Sequence, residues 1–168
     1  VTEIKTLAYD QAVAQKLVTV IGTKVDDAYI RECIKLSLSS ERDVKIVYTP
    51  LHGCGLTSVP KALEALGFVV ELDPATSNPS GKFENVTFNI PNPEVIQSFN
   101  TPLKHAKKVN ADILLNSDPD ADRIGVMVNH HGEWLFVNGN EIAAIITSYV
   151  IEKQKNTIKD GVIIKTDV

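Results

Sequence analysis

The sequence predicts an α/β fold, a layered domain built on a largely parallel sheet. Short apolar runs alternate with segments whose apolar residues recur at helical spacing, in the order strand, helix, strand, helix, strand. Asp118, Asp120 and Asp122 directly follow the third of these strands. Open α/β sheets bind ligands at the carboxyl ends of their strands, so this loop is a candidate site.

The strand predictions rest on β-branched and aromatic runs that are bounded by charge, proline or glycine. Residues 44–48, 68–72 and 112–115 would form the sheet. Residues 124–128 and 133–137 flank the letters NHHG and predict a hairpin with a four-residue turn. A further strand is expected over residues Gly161 to Lys165, so close to Val168 that the sequence is expected to be a piece of a longer chain.

Two helices are predicted before the first strand. The first covers the apolar spacing from Tyr9 to Val20, and the second follows Val25 with Asp26 as its N-cap candidate. Residues 73–93 contain four of the eight prolines and predict a long irregular excursion. A helix is predicted over residues 57–66, with Pro60 in its first turn and Gly67 after its end. Another is opened by Asn92 and Pro93 and broken by Pro102 near Phe99, and a further helical piece runs to Val109. The last helix is capped by Asn138–Gly139–Asn140 and runs to Glu152.

The composition indicates a globular protein and argues against a nucleic-acid-binding or membrane-spanning one. The 168 residues are 43% hydrophobic and 23% charged, which is ordinary for a globular domain. The net charge is −4 and the basic residues are scattered, so a nucleic-acid footprint is not supported. No apolar run is long enough to span a bilayer. Cys33 and Cys54 show no zinc spacing and are expected to be reduced thiols of a cytoplasmic protein.

The acidic loop carries the chemistry. In an extended backbone the side chains of Asp118, Asp120 and Asp122 would share one side and converge. Two unit charges about 5 Å apart repel by roughly 3 kcal/mol at an effective dielectric of about 20. Arg123 supplies only one balancing charge, whereas a hard divalent cation such as Mg²⁺ suits oxygen ligands. The alternative is a solvated acidic turn without a metal. An EF-hand is rejected, because its sixth and twelfth positions would be Arg123 and Asn129.

His52 is a second candidate site residue. It lies in the loop Thr49–Gly55, which is rich in proline and glycine and follows the first predicted strand. This position would let the imidazole contact a substrate or a neighbouring domain. A histidine that only packs within the loop is the alternative, and the sequence does not decide between them.

Four stretches together resemble the alpha-D-phosphohexomutase family. Residues 116–126, NSDPDADRIGV, are similar to the family's magnesium loop, and three other stretches match in the family's order: residues 48–53, 91–94 and 138–141. The DPDADR and TPLHG wording is most similar to the phosphoglucomutase branch, which includes phosphopentomutases. The matches span over half of the chain, from Tyr48 to Glu141.

The resemblance implies a fold and a division of the chain. The first three of the family's four domains are three-layer α/β/α sandwiches with a mostly parallel mixed sheet. Residues 1–40 would be a helical segment leading into the domain, residues 41–137 the metal-loop domain, which is the family's second, and residues 138–168 the start of the third. Asp118, Asp120 and Asp122 fall on the Mg²⁺ ligands, and Arg123 falls on the catalytic arginine near the phosphoserine and the substrate.

The resemblance also implies an activity. The parent protein would interconvert the 1-phosphate and 6-phosphate of a hexose, glucose or mannose, through a phosphoserine and a bisphosphate intermediate. Besides the sugar phosphate, the expected partners are the parent's phosphoserine, sugar-specificity and phosphate-binding domains, without which this chain is expected to be inactive. The alternatives are part of a phosphopentomutase, a free-standing metal- or sugar-phosphate-binding module, and a structural domain with a solvated acidic loop.

Overall fold

A computed structural model describes residues 5–166 of the chain. It contains five α-helices and five strands within those residues. The helices are α1 (Tyr9–Ala14), α2 (Gly22–Ile34), α3 (Val59–Ala65), α4 (Asn100–Lys108) and α5 (Gly139–Gln154). The strands are β1 (Lys45–Thr49), β2 (Val69–Leu72), β3 (Ile113–Ser117), β4 (Ile124–His130) and β5 (Glu133–Val137).

The strands form one mixed sheet in the order β2-β1-β3-β4-β5. Strand β1 pairs in parallel with both β2 and β3, whereas β3–β4 and β4–β5 are antiparallel. The α/β class with a mixed sheet is therefore confirmed, and the parallel part covers three strands. Strand β4 is antiparallel because residues 118–123 are too few for a crossover, which needs roughly a dozen residues.

Helices cover both faces of the sheet. On one face, α4 packs against β1 and β3 around a buried core made of Val47, Phe99, Ala106, Ala111, Leu114 and Met127. On the other face, Val59 of α3 lines a small cavity with Tyr48 and Leu115. Successive residues of a strand face opposite sides of the sheet, as Val47 and Tyr48 do, so each face of the sheet packs against its own helix.

Local capping signals placed several helix ends correctly. Pro60 lies in the first turn of α3, where its missing N–H group is harmless, and Gly67 follows the helix at φ +92°. Asn138 caps α5 in a reciprocal capping box with Glu141. Residues 73–93 form the expected excursion, with only a short 3₁₀ turn at Thr87–Asn89.

Other helix predictions were wrong. Helix α2 begins at Gly22, whose φ of +55° lets the chain turn there, so Asp26 lies inside the helix and is not its N-cap. Helix α1 ends at Ala14 rather than near Val20. Pro102 does not break a helix, because α4 begins only at Asn100 and the proline falls in its first turn.

The hairpin turn is tighter than predicted. His130 pairs with Glu133, so only His131 and Gly132 form the turn, at φ +53° and +91°. Two positive φ values are typical of the type I′ turn that matches strand twist.

The strand predicted over residues 161–165 is also absent from the described chain, where Val162 is 84% exposed and Ile164 is 91% exposed. An extended segment becomes a strand only when another strand satisfies its backbone hydrogen bonds, and no described strand lies beside it. Among residues 5–166, none of the helices has the length and apolar character needed to cross a bilayer.

Two loops meet at the carboxyl edge of the sheet. The amide of Cys54 donates to Pro119 O at 2.8 Å. A Cβ on Gly53 would lie 2.3 Å from Pro119 Cα and 2.5 Å from Pro119 O. The loop after β1 therefore supports the acidic loop after β3 by direct backbone contact, and this close approach requires glycine at position 53.

We expect Gly53→Ala to destabilise the chain by about 1–3 kcal/mol, because the added methyl group must displace backbone atoms of Pro119. Gly81→Ala is the matched control, since a Cβ there meets nothing within 4 Å. It should change the free energy of unfolding by less than about 0.5 kcal/mol. Urea unfolding of the three proteins measures both values, and equal stabilities would contradict the proposed contact.

Candidate metal centre

The three predicted carboxylates come together in the structure. Asp118 follows β3 directly, and one carboxylate oxygen from each of Asp118, Asp120 and Asp122 lies within 4.8 Å of the other two. Asp118 is buried, whereas Asp120 and Asp122 are exposed. The cluster therefore combines one buried carboxylate with two that face solvent, directly after β3, where the sequence predicted it.

A turn, rather than an extended backbone, brings the carboxylates together. The amide of Ala121 donates to Asp118 O at 3.0 Å, and Ala121 has a φ of +59°. Pro119 occupies the bend and is held by Cys54. The alternation argument predicted the convergence, but the chain achieves it by folding back after Asp118.

Asp118 is fixed by two hydrogen bonds from Arg123. The Arg123 backbone amide donates to Oδ1 at 3.0 Å and its Nε donates to Oδ2 at 2.7 Å. Burial disfavours the charged form of Asp118, but the hydrogen bonds from Arg123 outweigh it and hold the pKa of this carboxyl below its ordinary value. Each oxygen keeps a lone pair beyond these bonds, so Asp118 can still ligate a cation.

The cluster carries more negative charge than its neighbours balance. The pKa of Asp122 is raised, chiefly by its hydrogen bond with Asp118 and then by the charges of Asp120 and Asp118. Arg123 contributes one positive charge and lies 3.8 Å from Asp122 Oδ1. All candidate ligand atoms are carboxylate oxygens, which are the donors that Mg²⁺ prefers. The residues present therefore fit a hard divalent cation.

Arg123 is oriented by hydrogen bonds to two partners, Asp118 and Asn92. Its Nε binds Asp118, and its Nη1 donates to Asn92 Oδ1 at 3.2 Å. The hydrogen bond with Asp118 is the largest cause that raises the pKa of Arg123, so the guanidinium stays charged. The side chain is 45% exposed. Within the described residues its Nη2 makes no hydrogen bond, and it can donate to an anion beside the carboxylates.

Asn92 has a role that sequence reasoning missed. It was predicted to cap a helix opened by Pro93. Its Oδ1 does accept from the Glu94 amide at 3.0 Å, but no α-helix begins there. Instead the same oxygen holds Arg123. The sequence did contain one signal for this role, because residues 91–94 are one of the four stretches that resemble the phosphohexomutase family.

A buried hydroxyl pair lies beneath the loop. Tyr48 Oη and Ser117 Oγ are 2.7 Å apart, and both residues are buried. Burial raises the pKa of Tyr48 to about 12, despite the opposing hydrogen bond from Ser117, so the phenol stays protonated. A Cβ on Gly55 would meet Tyr48 Oη at 2.2 Å. No local pattern predicts this pair, because it depends on how β1 lies beside β3.

The structure buries His52 against the excursion formed by residues 73–93. The residue is 8% exposed, and both ring nitrogens lie 2.5 Å from backbone carbonyl oxygens, those of Asn78 and Glu84. Both polar ring atoms are therefore engaged within the chain. This geometry favours the loop-packing alternative, and contact between His52 and a substrate stays a prediction.

The chain is similar to known proteins in sequence. The family profile described as phosphoglucomutase/phosphomannomutase, alpha/beta/alpha domain II, matches residues 27–132. A phosphomannomutase of Mycoplasmoides pirum is 28% identical over 152 residues, which is 88% of this chain and 28% of that protein. A phosphoglucomutase of Staphylococcus aureus strain USA300 is 36% identical over 113 residues, which is 66% of this chain and 20% of that protein.

A solved structure shares the fold. It is that of a phosphoglucomutase/phosphomannomutase family protein from Burkholderia thailandensis, with a TM-score of 0.61, 18% identity, and coverage of 77% of this chain and 26% of that chain. The chain spans only 28% and 20% of the two relatives named above. Because the profile matches well over half of its residues, the chain belongs to the phosphoglucomutase/phosphomannomutase family, in the region of that family's second domain.

Proposed function

We propose that this chain is the metal-loop part of a hexose phosphate mutase that interconverts the 1-phosphate and 6-phosphate of glucose or mannose. Asp118, Asp120 and Asp122 hold Mg²⁺, and Arg123 acts on the transferring phosphoryl group. The observation that carries the proposal is the convergence of the three carboxylate oxygens within 4.8 Å, beside Arg123, whose Nη2 makes no hydrogen bond among residues 5–166. The relatives, named phosphomannomutase and phosphoglucomutase, indicate the substrate class.

The chemistry divides between the metal and the chain. Bound Mg²⁺ would neutralise negative charge on a phosphoryl group. Arg123 is held in position by Asp118 and Asn92, so it can present a planar donor to phosphate oxygens without losing side-chain entropy when the substrate binds. The chain thus supplies positioning and positive potential. A phosphoserine in another domain of the parent protein would donate the phosphoryl group to the sugar phosphate and recover it from the bisphosphate.

The proposed function divides the chain into three parts. We assign residues 41–137 to the metal-loop domain, residues 1–40 to a helical approach and residues 138–168 to the start of the next domain. Helix α5 has no buried residue, and Ile145, Ile146 and Ile151 are between 53% and 60% exposed. An apolar helix face of this kind needs covering. The phosphoserine, sugar-specificity and phosphate-binding domains of a cytoplasmic parent would complete the enzyme, and this chain alone would be inactive.

Two alternatives are testable. A phosphopentomutase would use the same acidic loop, because the loop handles the phosphoryl group and not the sugar. A non-catalytic metal- or sugar-phosphate-binding module would bind through the loop without turnover. The parent's activity toward glucose, mannose and ribose phosphates separates these possibilities.

Metal binding can be measured on this chain. We expect Mn²⁺, used as a paramagnetic substitute for Mg²⁺, to bind weakly, and Asp120→Asn to lower the affinity by at least about tenfold because one charged ligand is lost. Asp160→Asn is the control, since Asp160 is exposed and remote in sequence from the loop. Water-proton relaxation reports binding. Equal affinity in Asp120→Asn and the unaltered chain would leave the loop as a solvated acidic turn.

Catalysis requires the parent protein. We expect Arg123→Lys in the parent to lower kcat/KM for glucose 1-phosphate by about 10²-fold or more, because an ammonium group cannot bridge Asp118, Asn92 and a phosphate in one plane. Arg31→Lys, at an exposed position on α2, should leave the rate unchanged. A coupled assay for glucose 6-phosphate gives both values. Full activity in Arg123→Lys would remove this residue from the catalytic site.

A further inference from the structure

Gly125 lies at a point where three other segments of the chain meet. It is buried in β4, follows Arg123 by two positions, and pairs across the sheet with Asn116 of β3. A Cβ at position 125 would overlap Asn116 Oδ1 and would lie 2.6 Å from Pro93 O and 2.8 Å from Phe99 Cζ. These distances are shorter than van der Waals contact, so the segments can meet here only because residue 125 has no side chain.

Asn92, the residue before Pro93, holds Arg123. Its Oδ1 accepts from Arg123 Nη1 at 3.2 Å. The same oxygen accepts from the Glu94 amide at 3.0 Å, which fixes the Asn92 side chain relative to its own backbone. Pro93 is fully buried, so its backbone cannot shift without disturbing the residues packed on it. The place of Asn92 Oδ1 therefore depends on where the Pro93 backbone lies on the sheet.

Backbone hydrogen bonds do not fix this part of the chain on the sheet. Among the described residues, the backbone groups of residues 92–95 bond only within residues 90–98. Their approach to β4 is set by packing, and Gly125 is the residue that lets Pro93 come close. A larger residue at position 125 would push the Pro93 backbone away from the sheet and move Asn92 with it.

The Asn116 carboxamide ties the other end of the same segment to the sheet. Its Nδ2 donates to Ser98 Oγ at 2.9 Å, and both residues are buried. Its Oδ1 accepts no hydrogen bond within residues 5–166. A buried amide oxygen without a donor is costly, so what Asn116 contributes here is the bond to Ser98. Residues 92–99 are thus held at two points, by Gly125 near their start and by Asn116 near their end.

We propose that Gly125 and Asn116 are positioning residues of the candidate metal centre. They seat residues 92–99 on the β3–β4 pair and so place Asn92 Oδ1 where it holds the Arg123 guanidinium in one orientation. In this arrangement neither residue touches a metal or a substrate, and both act through Asn92. The effect on catalysis rests on the proposed mutase function, whereas the effect on the Arg123 side chain does not.

The motion of the guanidinium groups tests the arrangement in this chain. Rotation about the Nε–Cζ bond is measured by ¹⁵N NMR, and the three arginines of the sequence give three sets of signals. We expect Gly125→Ala and Asn92→Ala each to speed this rotation in Arg123 by roughly threefold or more, because one hydrogen bond of the guanidinium is lost. Unchanged rotation of Arg123 in Gly125→Ala would overturn the proposal.

The other two arginines are references in the same spectra. Arg42 donates four hydrogen bonds and should rotate at the same rate in every variant, whereas Arg31, exposed on α2, marks the rate of a solvated guanidinium. Gly81→Ala is the matched control for the added methyl group, because a Cβ there meets nothing within 4 Å. It should leave the rotation of Arg123 unchanged, and faster rotation in this control would contradict the assignment to Gly125.

A second variant covers the case in which Gly125→Ala does not fold. Ser98→Ala removes only the oxygen that accepts from Asn116, and it should also speed the rotation of Arg123, by roughly twofold or more. Unchanged rotation of Arg123 in folded Ser98→Ala would contradict the role of Asn116.

Kinetics of the parent protein separate positioning from general damage. At a temperature at which circular dichroism shows all variants folded, we expect Gly125→Ala and Asn92→Ala each to lower kcat/KM for glucose 1-phosphate by roughly tenfold. The double variant should match the less active single variant within about twofold, because both changes act through one contact. Losses that multiply to about a hundredfold would contradict the proposal. A parent inactive toward hexose phosphates would count against the proposed function, and the rotation of Arg123 then decides this inference alone.

Discussion

The site depends on the pair formed by Asp118 and Arg123. A buried carboxylate at the end of a strand is costly unless it is hydrogen-bonded, and Arg123 supplies two bonds from its backbone and its side chain. These bonds close the loop into a turn, which brings Asp120 and Asp122 toward the same centre. The pair holds three like charges together and leaves negative charge for a cation to balance.

The loops around this pair support one another through backbone contacts. Gly53 and Cys54 pack against Pro119, and Asn92 of the excursion holds the guanidinium of Arg123. The carboxyl edge of the sheet thus combines segments from after β1, from within the excursion and from after β3. An α/β sheet delivers these segments to one edge because β1 and β3 are parallel neighbours.

Buried polar contacts hold the excursion, residues 73–93, in a defined shape. Residues 73–93 form no strand and no α-helix, yet Asp73, Thr76 and Ser77 are buried. Asp73 accepts hydrogen bonds from Thr76 and Ser77, and Thr76 in turn bonds Thr49, at the end of β1, and the His52 amide. A long loop with buried polar groups keeps its shape only when such partners are present. The loop after β1 contacts the excursion through His52 and the acidic loop through Gly53 and Cys54.

Local signals in the sequence were sufficient for the fold class, the acidic loop, the proline in the first turn of α3 and the capping box of Asn138, because each depends on residues within a few positions of one another. Tertiary structure alone decided the partners of His52, the hydroxyl pair of Tyr48 and Ser117, and the bond from Arg123 to Asn92, since these contacts join residues far apart in the chain. It also decided that residues 161–165 form no strand here, because a strand exists only beside a partner.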